Sequence, residues 1–196
     1  MTKTSILDPK LFQADKYSNN FTKSVAHVHE FYLSGEITDA EDYIEWFDII
    51  RNANAVDSIR IYINSPGGDL FTTLQFLRAM SDTEATVTTS VEGACMSAAT
   101  MIFLTGHIQE VTPHSLFMFH DYSSGTFGKG GEQYDQIQFE RGWSRKFLTE
   151  VYAGFLTEVE IESMMHNKDI WMDSEEVVKR LTALHKAREA EAAAEE

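Results

Sequence analysis

The chain has 196 residues, 43% of them hydrophobic and 12% aromatic, which is enough for one well-buried domain and short for two. Its formal charge of -15 comes without a cluster of Lys and Arg able to displace counterions from a phosphate backbone, which argues against nucleic acid as a partner. A single cysteine, Cys95, excludes an intramolecular disulfide framework, Met1 to Asp8 lack the apolar core of a signal peptide, and no apolar run approaches membrane-spanning length, so a soluble cytoplasmic protein with no membrane contact is expected.

Residues 1–23 are polar and without sustained periodicity, and read as an N-terminal arm or axial segment. An ordered domain is expected over 24–184, followed by an acidic tail over 185–196 that reads as a solvated helical extension or a frayed end. Val25, Val28 and Phe31 to Leu33 predict a first strand. Thr38-Asp-Ala-Glu41 then has the form of a capping box, predicting a helix to about Ala53. Ile59 to Asn64 predicts a second strand, stopped by Pro66-Gly67-Gly68 before a helical run with Leu70, Leu74, Leu77 and Met80.

The third unit repeats that plan. A strand over Ala85 to Val91 leads through Glu92-Gly93 into a helix over Met96 to Thr105, with Gly106 expected as its left-handed terminator. A hairpin-like pair follows, Ile108 to Thr112 and Leu116 to His120, turning at Pro113-His114. After the loop Gly125 to Gly131, the longest helix runs from Glu132 to about Ala153, its aromatic residues suiting burial on more than one side. Thr157-Glu-Val-Glu160 and Asp173-Ser-Glu-Glu176 mark two later helix starts, with the loop Asn167 to Met172 between them. Repeated strand and helix units predict parallel strands with their carboxyl ends on one edge, making Gly67 to Asp69 a spatial neighbour of Gly93 to Ser97.

Three comparable strand exits therefore carry chemistry. Ser97 stands at a strand-to-helix transition, where a hydroxyl becomes a nucleophile once a base takes its proton. Of the seven histidines, His120 alone ends an apolar strand on that edge and is the expected base. Asp169, in a loop followed by Ile170-Trp-Met172, is the chosen carboxylate, in a context suited to a buried aspartate. Gly67 and Gly68 let main-chain amides approach a developing oxyanion, and the Ala98 amide, directly after the nucleophile, supplies a second donor.

Each of these features also has a plainer reading. Small residues from Gly93 to Ala99 equally serve close strand-to-helix packing, and Pro66-Gly67-Gly68 equally serves as a turn. Cys95 more simply packs inward as a small hydrophobe. His27 and His29 lack a third metal ligand and suit an exposed edge-strand face, so neither a metal nor a cofactor is expected. The sequence is not a Gly-x-Ser-x-Gly elbow.

Asn64-Ser-Pro-Gly-Gly68, Gly93 followed by Ser97, His120, and Asp169-Ile-Trp-Met-Asp-Ser-Glu-Glu176, in that order, resemble the Clp protease proteolytic subunit over about residues 27–184. The resemblance implies an α/β fold, the crotonase-like spiral of ββα units with a protruding handle helix at 132–153. It implies a serine endopeptidase with Ser97, His120 and Asp169 as triad and Gly68 and Ala98 as oxyanion donors. Extended polypeptide would add as a strand beside Gly67, Gly68, Asp69 and Leu70 and beside Asp121 and Tyr122 after the histidine, with small apolar side chains at the cleaved position. Homo-oligomers are implied, heptameric rings or a double-ring tetradecamer, fed by a hexameric AAA+ unfoldase on which ATP acts.

The chain is a divergent member on this reading. It has Ala94-Cys95-Met96 before the serine where the family commonly has Gln-Ala-Ala, and His120-Asp121-Tyr122 where it commonly has His-Gln-Pro. Two rival readings follow: a non-catalytic ring subunit or scaffold, and an acyl-CoA hydratase or isomerase of the same superfamily, which would need a basic phosphate site that this acidic chain does not offer.

Overall fold

Every second residue of Ser58–Ser65 (β2) is a branched apolar side chain or a small one, and the strand sits centrally, with Ile59, Ile61 and Ile63 fully buried. The computed structural model describes residues 26–195; the expected arm over 1–23, and Val25, lie outside them. β2 pairs in parallel with Val28–Ser34 (β1) on one side and with Thr86–Met96 (β3) on the other. Between β1 and β2 run a 3-10 turn over Ala40–Tyr43 and a helix over Ile44–Asn52 (α1), and between β2 and β3 runs Leu70–Asp82 (α2). An aromatic cluster of Tyr43, Trp46, Phe47 and Phe76 locks α1 to α2, with ring centroids 4.8 to 6.3 Å apart.

Three expectations about these first units change. Thr38 and Glu41 make no capping box, because the Thr38 hydroxyl donates instead to Asp42 Oδ2 at 2.7 Å and the chain enters through the 3-10 turn. The third strand does not stop at Val91 but runs as β3 to Met96, so its helix, Ala98–Thr105 (α3), begins only after Ser97. Gly106 is not left-handed, with φ -58°. Its need for glycine is room, since a Cβ there would lie 2.6 Å from Thr89 Oγ1.

Ile108–Val111 (β4) and Leu116–Phe119 (β5) are not a hairpin. Each pairs in parallel with a different stretch of β3, β4 with Thr88 to Val91 and β5 with Ala94 to Met96. The sequence alternation is the same for either arrangement; the length of β3 decides, because its distal half offers a second edge. Ile170–Asp173 (β6), expected as loop, pairs antiparallel with β5 and closes the six-stranded sheet, whose order is β1-β2-β3-β5-β6 with β4 off this path beside β3.

Gly130–Val151 (α4) is the long helix expected at 132–153, but it is not buried on more than one side. Only Ser144 and Leu148 in it are buried, whereas Tyr134 and Phe139 are 64% and 74% exposed. Its amino-terminal part is mostly exposed, and its carboxyl end packs on the core.

Glu158–Met164 (α5) starts with a reciprocal capping box: the Glu160 N–H donates to Thr157 Oγ1 at 3.2 Å and the Thr157 N–H to Glu160 Oε2 at 2.9 Å. Ser174–Glu195 (α6) has half of one, the Glu176 N–H donating to Asp173 Oδ1 at 2.9 Å, and carries the acidic tail as continuous helix through the described residues. Glu176 is otherwise engaged with Arg180.

Arg180 also grips Glu160 with two bonds of 2.8 Å, tying α6 to α5 and holding the Glu160 carboxyl down at about 2. A folded pKa below the unfolded value of about 4.3 stabilises the fold above pH 4.3, and that contribution disappears as pH falls through 2. Both side chains keep some solvent contact, so we expect Glu160→Gln to lower stability by about 1–2 kcal/mol at pH 7. The gap to the parent protein should close by pH 2. Urea unfolding at the two pH values checks this; a gap that widens on acidification would contradict it.

Candidate active site

β3 delivers Ser97 into a turn that glycine makes possible. A Cβ on Gly67 would lie 2.6 Å from Ser97 Cβ, 2.7 Å from the Met96 carbonyl oxygen and 3.0 Å from Ala98 N, so only a bare backbone fits against the serine. Gly67 itself has φ 95°. The exit of β2 and the exit of β3 are thus in direct contact, as the repeated strand units predict. Asn64, before the Pro-Gly-Gly turn, accepts from Ala94 N–H at 3.0 Å and pins the two strands where their register shifts.

Ser97 has φ 53° and ψ -130°, rare for a residue with a side chain, and this directs its hydroxyl off the end of β3. β5 runs alongside and ends at Phe119, so the next residue, His120, stands beside the serine. Ser97 Oγ is 2.6 Å from His120 Nε2. With the ring proton on Nδ1, Nε2 accepts the hydroxyl hydrogen, the arrangement in which an imidazole removes it during attack.

The N–H groups of Gly68 and Ala98 donate no hydrogen bond to any described residue. Gly68 is fixed by a parallel bridge to Ile37, in which Ile37 N–H donates to the Gly67 carbonyl and Asp69 N–H donates to the Ile37 carbonyl, both at 2.8 Å. Asp69 caps α2, its Oδ1 accepting from Thr72 N–H at 2.6 Å.

Asp169 departs from expectation. It lies one step beyond the last antiparallel pair, Phe119 with Ile170, and so on the His120 side of β6. It is exposed rather than buried, and its carboxylate accepts no hydrogen bond from His120. The apolar residues after it do enter the sheet, but β6 begins at Ile170 and leaves Asp169 outside. Asp121 is the carboxyl that burial affects, half-buried and pushed upward by desolvation, with Tyr122 N–H donating to it at 2.8 Å.

These residues open into one cleft of about 920 Å³. Gly68, Asp69 and Leu70 line one wall and His120, Asp121 and Tyr122 the other, with Ser97 and Ala98 at the base. The far side comes from α4 through Phe139, Trp143 and Phe147, among the aromatic residues expected to suit burial on more than one side of the helix. Their four-residue spacing was visible as a helical stripe; what that stripe faced was not. Met101 and Met118 complete the apolar lining, and no Lys or Arg contributes to it.

Cys95, two residues before the serine, is fully buried, and burial pushes its thiol well up, which removes it as a rival nucleophile. His27, just before the outer strand β1, is exposed and His29 within that strand partly so, their rings stacked with centroids 6.0 Å apart. Among the described residues no group of three or more His, Cys, Asp or Glu is placed to hold a metal ion, and no helix is long and apolar enough to cross a membrane.

Comparison with known proteins places this geometry in context. A family model described as Clp protease matches residues 14–180. The chain is 30% identical over 131 residues to the ATP-dependent Clp protease proteolytic subunit 1 of Salinibacter ruber, a match covering 65% of this chain and 55% of that protein. It is 27% identical over 154 residues to the ATP-dependent Clp protease proteolytic subunit of Leuconostoc citreum, covering 74% and 76% of the two chains. The Streptococcus mutans protein of the same name is 28% identical over 157 residues, covering 75% and 78%. The chain therefore spans little more than half of the first relative and about three quarters of the other two. Because the matched residues take in every strand of the sheet and all three strand exits, the chain belongs to the Clp protease family.

Proposed function

We propose that the protein is a serine endopeptidase that cleaves unfolded polypeptide inside an oligomeric chamber. The observation that carries this reading is the 2.6 Å approach of Ser97 Oγ to His120 Nε2 at the base of an apolar cleft. Ser97 Oγ attacks the scissile carbonyl carbon while its proton passes to Nε2. The carbonyl oxygen, now carrying the negative charge, is held by the Gly68 and Ala98 amides. Collapse breaks the C–N bond, and His120 returns the proton to the leaving amine. A water then repeats the sequence on the acyl-enzyme and frees Ser97.

Asp169 is the orienting carboxylate on this reading, and its part requires the side chain to turn so that it accepts from His120 Nδ1–H. Extended substrate adds as a strand between Gly67 to Leu70 and the segment from His120 to Tyr122, so backbone pairing gives low sequence selectivity. Helix α4, with its exposed Tyr134, Ile137 and Phe139, serves as the handle that joins two rings, heptameric in the family pattern. A hexameric ATP-driven unfoldase supplies the chain to be cut.

The exposed Asp169 favours one second reading, a ring subunit without catalysis. A fluorophosphonate probe separates the two: covalent labelling mapped to Ser97 is expected for the peptidase, and an unlabelled protein supports the silent subunit. The assembly is tested independently, because sedimentation at micromolar concentration should give a species several times the 22.3 kDa of one chain. A monomer would reject the chamber.

A further inference from the structure

The backbone of Ser97 is strained, and such a conformation lasts only where its surroundings over-determine it. Two restraints come from the adjoining strand β5 and the first turn of α3. Ser97 N–H donates to the Met118 carbonyl at 2.7 Å, and the Ser97 carbonyl accepts from Thr100 N–H at 2.9 Å. A third reaches across the fold: the Thr100 hydroxyl donates to the same carbonyl at 2.6 Å, and the Tyr152 hydroxyl lies 2.8 Å from Thr100 Oγ1.

The direction of this chain follows from counting hydrogens. A carbonyl only accepts, and Thr100 has one hydroxyl hydrogen, which is committed to Ser97. Tyr152 must therefore be the donor in the outer bond. Thr100 and Tyr152 are both fully buried, so neither hydroxyl exchanges its partner for water. Burial also pushes the phenol far up, and it remains a protonated donor throughout the neutral range.

Tyr152 is placed to couple two elements. It follows Val151, the last residue of α4, and its ring stands edge-on to Phe119, the residue before His120, at 5.5 Å between centroids. Its ring thus packs on the strand that delivers the imidazole while its hydroxyl reaches the turn that delivers the serine. We infer that Tyr152 is a positioning residue: acting through Thr100, it fixes the Ser97 carbonyl and so the aim of the Ser97 hydroxyl at His120. The kinetic consequence rests on the peptidase reading above; the backbone consequence does not.

The test uses Tyr152→Phe, which keeps the ring and removes only the oxygen, with Thr100→Val and Thr100→Ser as partners. Amide hydrogen exchange is read by mass spectrometry in peptides spanning 96–101 and in remote peptides from β1 and β2. Tyr152→Phe should speed exchange around Ser97 several-fold and leave the remote peptides unchanged. Thr100→Val should do the same, Thr100→Ser should retain the parental rate, and the double variant should be no faster than the worse single one. In an active protein, kcat should fall about tenfold in Tyr152→Phe with KM within twofold. Exchange around Ser97 equal to the parent, or faster everywhere alike, would overturn the inference. A parent protein that neither labels nor hydrolyses would reject the peptidase reading instead, with the exchange result still deciding the role of Tyr152.

Discussion

Alanine at position 97 is expected to abolish turnover of a fluorogenic peptide, with a loss of about 10⁶-fold in kcat, while the protein keeps its thermal transition and its oligomeric state. The magnitude is that of removing the nucleophile from a serine peptidase whose base and oxyanion donors remain. His120→Ala should be equally severe, because an unassisted hydroxyl is a poor nucleophile at neutral pH. Asp169→Asn should cost less, about 10⁴-fold. That variant is informative here because the carboxylate is exposed and not yet in contact with the ring. Undiminished hydrolysis by Ser97→Ala would reject the assignment of the nucleophile outright, and an Asp169→Asn protein with parental kinetics would remove Asp169 from the mechanism while leaving the other two in place.

Two of the three strand exits were legible in the sequence because each combines an apolar run with a residue that run cannot accommodate. Ile59 to Asn64 breaks at Pro66-Gly67-Gly68, and Leu116 to Phe119 ends in His120. At these two exits the alternation stops within a residue of the strand's end. The pairing of β4 and β5 was not legible, since a short alternating pair with a Pro-His turn reads the same whether the strands meet each other or lie along a longer neighbour. Only the continuation of β3 through Glu92 and Gly93 decides it, and a glycine inside a strand looks like a strand end. The exposure of Phe139 and the burial of Tyr152 were hidden for a related reason. Phe139 lies within α4 and Tyr152 caps its carboxyl end, and aromatic content says nothing about which turns of a helix face solvent and which meet the core. The Ser97–Thr100–Tyr152 chain joins positions far apart in sequence and has no local signature at all.

Gly68→Ala should lose more stability than alanine at any other glycine of this protein. Gly68 has φ 150°, and a Cβ there would lie 2.2 Å from the Ile37 carbonyl oxygen, 2.7 Å from Ile37 N and 2.9 Å from Ile37 C. These are backbone atoms, and they are pinned: Ile37 N–H donates to Gly67, the Ile37 carbonyl accepts from Asp69, and the Ile37 side chain is 1% exposed in the core. Relief therefore requires breaking the bridge between the segment after β1 and the turn after β2, at a cost above about 4 kcal/mol, in the exceptional range for a point substitution. On the proposed mechanism the same bridge holds the Gly68 amide in place for the oxyanion, so any protein that still folds should lose activity along with stability. Gly142→Ala is the matched control. Its added methyl meets nothing within 4 Å, and in the interior of α4 it should gain up to about 1 kcal/mol through helix propensity. Urea unfolding of the two variants beside the parent measures both signs. A Gly68→Ala protein within 1 kcal/mol of the parent would mean that the bridge to Ile37 gives way easily, and a turn that yields so readily cannot hold an amide rigid enough to stabilise an oxyanion.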